Sequence, residues 1–156
     1  MPYMKLEDVP DCAERYENHC IDGKCSGCGE CCVDILPVTP AEIGRIKEYV
    51  QKHNIKEHRQ APFYDPNATD LSCPFRNQQT KKCDIYPARP YICRTFICSK
   101  TKEDAHRDRN LLYSDRREHS LRFEIFGNTE SLDLIAAVAF MRIKTKEDIQ
   151  KWQTPT

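Results

Sequence analysis

The chain has 156 residues, of which 31% are charged and 39% hydrophobic, and this length and composition fit one globular domain with a modest core. Lysine plus arginine equals aspartate plus glutamate, 24 each, so the formal net charge is zero, which argues against a broad nucleic-acid or membrane surface. The longest apolar run, residues 134–141, is too short for a membrane span, and the N-terminal residues contain no apolar signal region. We therefore expect a single cytoplasmic domain over residues 1–156, without a transmembrane segment.

Cysteine is the unusual component of this composition, with 10 residues. Without a secretory signal, such a set more often binds metal than forms disulfides, because the cytosol keeps thiols reduced. Four of the ten are crowded into a few consecutive positions, where disulfide geometry can hardly use them. We therefore predict cysteine-bound metal, with disulfides or a redox relay as the alternative.

The crowded segment CSGCGECC, residues 25–32, is the first candidate site. A Cys-x-x-Cys turn places two sulfurs on the same side, and Gly27 and Gly29 leave the backbone free to curl, so that its N–H groups can donate to the sulfurs. Three sulfurs at equal three-residue spacing are typical of bacterial ferredoxins, whereas zinc sites usually collect separated pairs of ligands. The spacing favours an iron–sulfur cluster completed by a sulfur from elsewhere. The candidate ligands are Cys25, Cys28, Cys31 and Cys32, the last of which could serve a second metal or none.

Residues 39–54, TPAEIGRIKEYVQKHN, predict an α-helix. Thr39 is the expected N-cap, Pro40 suits the first helical position, and Glu42 completes a capping box. Asn54 is the expected stop. One apolar face follows the helical period and consists of Ile43, Ile46, Tyr49 and Val50.

Residues 60–100 hold five of the chain's ten prolines, so we predict irregular loops there. Within them, LSCPF (residues 71–75) and KCDIY (residues 82–86) are interpreted as the strands of a short hairpin across the polar turn RNQQTK. The segment carries the second set of candidate ligands, which are Cys73, Cys83, Cys93 and Cys98. With the first set they supply eight sulfurs, enough for two four-cysteine sites or for one site with spare cysteines.

Several cations lie beside this second set in the sequence. A four-thiolate site would carry about two negative charges, and nearby cations can offset them. A solvated surface is the alternative role for these side chains. They are Lys81, Lys82, Arg89 and Arg94.

The C-terminal part, residues 101–156, is predicted to be mainly helical. Residues 100–120 are interpreted as helical, and residues 101–110, which mix both charge signs, as an exposed helix. The segment SLRFEIF, residues 120–126, alternates like a strand and is followed by a Gly-Asn pair that would close it. Residues 129–143 predict a buried helix, and residues 145–152 a short terminal one.

The overall prediction is a small α-rich (α+β) single domain with irregular metal-binding loops and at most a short hairpin. Residues 20–100 form its cysteine-cluster metal-binding core.

The cysteines and their neighbours resemble a known family. CSGCGECC, followed by SCPFRNQQTKKCDIYPARPYICRTF, is similar to the YkgJ-like cysteine-cluster family of zinc- or iron-chelating domains. The matching positions are Cys25, Cys28, Cys31, Cys32, Thr39 to Glu42, Cys73 to Phe75, Cys83, Ile85, Tyr86, Arg89, Pro90, Cys93, Arg94 and Phe96. Cys12 and Cys20 lie outside the pattern. The resemblance implies cysteine-bound metal, and the iron–sulfur flagellin lysine methylases, which are similar in this cysteine pattern, favour iron.

Three functions remain open at this point. The first is an iron–sulfur protein, preferably with a [4Fe–4S] cluster, that has a redox, sensing or docking role on another protein such as a redox or metal enzyme. The second is a structural zinc-binding interaction module. The third is a modifying enzyme similar to the flagellin lysine methylases, but the chain has no S-adenosylmethionine signature and only about 55 residues beyond the cluster region. We therefore expect a binding protein rather than an enzyme.

Overall fold

The computed structural model describes residues 6–8, 11, 14, 17–29, 31–60, 69–112 and 115–141. These residues form five α-helices and two antiparallel sheets of two short strands each, so the predicted small α-rich α+β fold is confirmed. The helices are α1 (Pro40–His53), α2 (Tyr91–Thr95), α3 (Lys102–Leu112), α4 (Leu121–Phe126) and α5 (Ile135–Met141). The strands are β1 (Ile35–Val38), β2 (Arg76–Asn77), β3 (Lys82–Cys83) and β4 (Arg117–Ser120). No helix in this part of the chain is long and apolar enough to cross a membrane.

Helix α1 has the ends that its sequence predicts. The N–H of Glu42 donates to Thr39 Oγ1 at 3.1 Å, and the N–H of Thr39 donates back to Glu42 Oε1 at 3.3 Å, which completes the capping box. Asn54 ends the helix in the left-handed conformation, with φ of 50°. The predicted apolar face is buried at Ile43, Ile46 and Val50.

Strands β1 and β4 join parts of the chain that are about 80 residues apart, with Ile35 opposite Ser120 and Val38 opposite Arg117. β1 is buried along its whole length. Together with α1 it forms the core, which also includes Phe75, Ile85 and Leu121. Three cysteines pack against the margin of this core, so the core positions part of the candidate site.

A short hairpin is present as predicted, but its strands are shorter and the first of them does not lie in LSCPF. They are β2 and β3, with Arg76 opposite Cys83, so the pairing begins after LSCPF and within the segment interpreted as the turn. Pro74 lacks the N–H that a longer first strand would need. The turn itself is closed by the N–H of Lys81, which donates to Asn77 O at 2.9 Å.

The predicted strand at residues 120–126 is wrong, because residues 121–126 form helix α4. Ser120 caps the helix by accepting a hydrogen bond from the N–H of Phe123 at 3.2 Å, and Gly127 ends it with φ of 74°. The strand lies just before it, as β4, inside the segment that we interpreted as helix. That helix is present only as α3.

The prediction of a buried helix over residues 129–143 holds only in part. Helix α5 is preceded by a 3₁₀ turn at Leu132–Leu134, and Ala136 and Ala137 are exposed, so the first turn of α5 is less buried than its apolar sequence suggests. Residues 142–156, including the predicted terminal helix, lie outside the described residues.

A buried polar network attaches the C-terminal part to the cysteine region. Asp34 accepts hydrogen bonds from Ser120 Oγ at 2.5 Å, Ser131 Oγ at 2.7 Å and the Arg122 N–H at 2.6 Å. The buried guanidinium of Arg122 donates to Ser72 O at 2.8 Å. Asp34 and Ser72 each lie next to cysteine-bearing segments, so α4 supports the loops that carry the candidate ligands.

Candidate metal centre

A tight turn lies directly before the cysteine cluster. The first and last residues of IDGK (residues 21–24) exchange two backbone hydrogen bonds, of 2.9 and 3.0 Å, across Asp22 and Gly23. Both turn residues have positive φ, 50° and 73°, the conformation for which Asp-Gly is favoured in two-residue hairpin turns. The turn reverses the chain, so that Cys20 and Cys25, on either side of it, come together.

Two glycines shape the next segment, CSGCG (residues 25–29). Gly27 and Gly29 have left-handed backbone, with φ of 79° and 82°. The N–H of Gly27 donates to Cys25 Sγ at 3.4 Å, the kind of backbone-to-sulfur hydrogen bond that the sequence predicts. Arg76 passes close to the segment and donates to Gly27 O at 2.8 Å. Because Arg76 is only 7% exposed, it fixes this segment against β2.

Five cysteines line one small cavity, of about 30 Å³, near the surface. Cys25 and Cys28 are exposed and the other three are half-buried. The Sγ atoms of Cys20 and Cys98 are 3.3 Å apart. We call these five residues the outer set: Cys20, Cys25, Cys28, Cys31 and Cys98.

Backbone pairing brings Cys32 beside Cys73 on the core side, and Cys83 and Cys93 pack against the same core as Cys73. Val33 pairs with Ser72, and the N–H of Cys73 donates to Cys32 O at 3.2 Å, so Cys32 lies beside Cys73. Cys83 ends β3, and α2 carries Cys93. Besides burial, charges on Cys32, Cys83 and Cys93 raise the pKa of Cys73, and a charge on Cys32 also raises the pKa of Cys83 and of Cys93, as expected of near neighbours. We call these four residues the inner set: Cys32, Cys73, Cys83 and Cys93.

Burial keeps most inner-set thiols protonated. It raises the pKa of Cys73 well above its ordinary value of 9.0, raises the pKa of Cys83, and raises the pKa of Cys93 to about 12. Neighbouring thiols of the set add to these shifts, since a negative charge on one opposes ionisation of the next. The nearby cation of Arg89 acts in the opposite direction on Cys83 and Cys93. A metal that binds this set must therefore displace protons.

Cys31 and Cys32 are adjacent, yet they contribute to different sets. A hydrogen bond between their thiols raises the pKa of Cys31 and lowers that of Cys32 to about 7, with the charge of Arg76 adding to the second shift. A similar pair occurs in the outer set, where the hydrogen bond between Cys20 and Cys98 lowers the pKa of Cys20. A single peptide unit therefore joins the outer set to the inner set.

The donors fit a soft metal. Thiolates bind zinc and build iron–sulfur clusters, and all nine cysteines within the described residues are free. No three cysteine, histidine, aspartate or glutamate side chains in that part of the chain lie close enough together to hold a metal ion as placed. Each set would therefore have to contract around a metal.

The structure distributes the eight predicted ligands between the two sets. Cys25, Cys28 and Cys31 share the outer set with Cys98, and the remaining four form the inner set. Cys20 was missed by the sequence reasoning, although the Asp-Gly pair that follows it was a readable signal for the turn that returns the chain to Cys25. Cys12 lies outside the described residues.

The cations are also distributed differently from the prediction. Arg89 lies near the inner set, with its Nη1 donating to Cys93 O at 3.3 Å. Lys81, Lys82 and Arg94 are exposed. Arg76, which the sequence reasoning did not select, contacts the outer-set loop and lies near Cys32.

Comparison with known proteins shows that the chain matches the model of a protein family. The model of the family CxxCxxCC, described as "putative zinc- or iron-chelating domain", matches residues 24–111. The matched region includes all four members of the inner set and all of the outer set except Cys20. No solved structure matches the chain.

Proposed function

The chain belongs to the CxxCxxCC family and is therefore a cysteine-ligated metal-binding protein, and from that premise we propose that it is an iron–sulfur protein with a redox, sensing or docking role on a partner protein. The proposed ligands are the eight cysteines of the sequence prediction, divided between the outer and inner sets. A [4Fe–4S] cluster is the preferred cofactor of the outer set, and a partner with redox or metal chemistry is the preferred target.

The single observation that carries this proposal is the outer set itself. Five thiols line one cavity, and three of them follow each other at three-residue spacing. A single zinc ion takes four ligands and usually draws them as separated pairs, whereas a cubane takes three corners from such a run. The left-handed glycines and the Gly27 N–H donor also favour sulfurs that carry negative charge.

The position of the outer set supports a role in exchange with a partner. Cys25 and Cys28 are exposed, so a cluster held there would be within reach of another protein. When bound, an iron–sulfur cluster accepts and donates single electrons. The chain's own residues hold the thiolates, orient them through the turn at residues 21–24, and fix the loop through Arg76.

The inner set favours a second candidate, a structural zinc module. Its four thiols come from separate segments, β3 and α2 among them, and three of them pack against the core. Four converging thiolates without an open position are typical of structural zinc. A zinc ion in the inner set and a cluster in the outer set would also be compatible with one another.

The test is anaerobic purification followed by metal analysis and absorption spectroscopy. We expect a brown protein that absorbs at about 400 nm and contains iron and sulfide. Cys28→Ser should remove the outer-set absorbance and Cys83→Ser the metal of the inner set, while Cys12→Ser is the cysteine control. A colourless protein that holds only zinc would exclude the iron–sulfur proposal in favour of the second candidate.

A further inference from the structure

We infer that Cys20 and Cys98 occupy one corner of the outer set, and that either thiol can supply the fourth sulfur ligand beside Cys25, Cys28 and Cys31. This inference rests on the proposed function and adds to it a ligand, Cys20, that precedes the family-matched region. It also means that the ligand at this corner can come from either of two residues that are 78 positions apart in the sequence.

The backbone places Cys20 at the outer set independently of its side chain. The turn across Asp22 and Gly23 pairs the residues on either side of it, so Cys20 and Cys25 leave the turn as neighbours. Flanking positions of a tight hairpin direct their side chains to the same face. Cys25 is the first residue of the three-sulfur run, so the turn delivers Cys20 to the start of that run.

Asn18 then brings Cys98 to the same place. Its Oδ1 atom accepts a hydrogen bond from the N–H of Cys20 at 3.0 Å and another from Cys98 Sγ at 3.6 Å. Both thiols line the cavity that the three-sulfur run lines. One side chain therefore positions both candidate ligands against one site.

The distance between the two sulfurs places them at one corner. Cys20 Sγ and Cys98 Sγ are 3.3 Å apart. Each iron of a four-cysteine [4Fe–4S] cluster takes one cysteine sulfur, so a corner that both sulfurs reach is filled by one of them. The other sulfur stays beside the ligand and can replace it.

The experiment compares five full-length chains purified anaerobically: the wild type, Cys20→Ser, Cys98→Ser, the double variant and Cys12→Ser. Metal per chain and the absorption spectrum are measured for each, with circular dichroism as the check on folding. We expect both single variants to keep the wild-type metal content and the double variant to lose the outer-set metal while it keeps the inner-set metal. Cys28→Ser provides the reference spectrum for loss of the outer centre.

Three results would overturn the inference. They are loss of the outer metal from Cys20→Ser alone, loss from Cys98→Ser alone, and retention of the outer metal by the double variant. A Cys20–Cys98 disulfide in the metal-loaded wild type, seen by mass spectrometry, would also overturn it, since neither sulfur would then be a thiolate. If the wild-type chain binds no metal at its outer set, the proposed function itself is wrong, whichever thiol lies at the corner.

Discussion

At Gly29 the backbone passes so close to Arg76 that a side chain has no room. A Cβ there would lie 2.2 Å from Arg76 Nε, and the φ of 82° is unfavourable for any other residue. Gly23 has a similar φ of 73° but open space around it. The two positions therefore separate the cost of backbone strain from the cost of displacing Arg76.

We predict that Gly29→Ala removes metal from the outer set, because Arg76 must leave Gly27 O to make room. Gly23→Ala is the matched control and should cost only the left-handed strain, about 1–2 kcal/mol of unfolding free energy. Metal analysis and urea unfolding of both variants measure the difference. Equal metal content in the two variants would show that Arg76 does not hold the outer-set loop.

Glu42 links α1 to two other segments. Its Oε2 accepts from the Tyr91 N–H at 2.8 Å, and its Oε1 accepts from Arg116 Nε at 2.7 Å. Burial opposes ionisation of the carboxylate, but these hydrogen bonds and the arginine charge outweigh it, so the pKa of Glu42 lies below its ordinary value of 4.5. The stabilisation that the Glu42 carboxylate provides is therefore fully present above pH 4.5, and it is lost as the pH falls through the lowered pKa of Glu42.

We predict that Glu42→Gln lowers the unfolding free energy at neutral pH by about 1–3 kcal/mol and reduces its fall under acid. Glutamine keeps the shape and the cap but not the charge. Glu48→Gln, on an exposed position of the same helix, is the control and should behave like the wild type. Urea unfolding from neutral pH to below 4.5 measures both effects. If the three proteins lose stability in parallel under acid, Glu42 is not the titrating group.

At the scale of elements, α4 depends on one buried cation. The Arg122 guanidinium is completely buried and joins α4 to Glu57 Oε1, to His58 O and to Ser72 O, at distances of 2.8–3.0 Å. Replacement by a side chain without donors leaves the two carbonyl groups unpaired and removes the cation from Glu57, whose Oε1 keeps only the hydrogen bond from Asn128 Nδ2 at 3.1 Å. The element is therefore held as much by polar contacts as by its apolar residues.

We predict that Arg122→Met lowers the unfolding free energy by about 3–5 kcal/mol, the usual cost of breaking a buried ion pair. Arg117→Met, on the exposed face of the preceding strand, should change stability by less than about 0.5 kcal/mol. Thermal and urea unfolding of both variants give the comparison. A small effect of Arg122→Met would mean that the apolar contacts of Leu121 hold α4 without the network.

The same element shows where the sequence was misleading. Leu121, Phe123 and Ile125 alternate with polar residues and were interpreted as a strand, but Arg122 between them is buried and pairs with groups from distant segments. Helix α1 could be predicted because its cap, its apolar face and its stop all lie within its own residues. Strand β4 could not, because its partner β1 lies about 80 residues away.

The candidate site likewise has one part that could be predicted from the sequence and another that could not. The three-sulfur run and the glycine conformations were readable because they depend on neighbours in sequence. The grouping of Cys32 with Cys73, Cys83 and Cys93 depends on pairing between Val33 and Ser72 and on the position of α2, which no local pattern encodes. Cys20 was missed for a different reason. The Asp-Gly pair that indicates a turn beside it is a local pattern, but the sequence analysis did not use it.

At the scale of the whole molecule, the two sets differ in access to solvent. Cys25 and Cys28 are exposed, whereas Cys73 and Cys93 lie against the core and burial raises their pKa. Because only thiolates react readily, Cys73 and Cys93 are protected both by burial and by protonation.

We predict that an alkylating reagent modifies Cys25 and Cys28 of the metal-free protein well before Cys73 and Cys93. A chelator should likewise remove the outer metal of the loaded protein first. Peptide mass spectrometry of samples taken over time follows the alkylation, and residual metal content follows the chelation. Similar rates at all four cysteines would show that the inner set opens as easily as the outer set.

If metal binds at both sets, the peptide unit between Cys31 and Cys32 makes the two centres thermodynamically dependent on each other. A metal that binds one of these residues restricts the backbone of the next, so the second centre forms with less conformational entropy left to lose. Loading is therefore expected to be cooperative, with either centre favouring the other. At limiting metal, native mass spectra should contain fewer half-loaded chains than independent binding at the two sets would give.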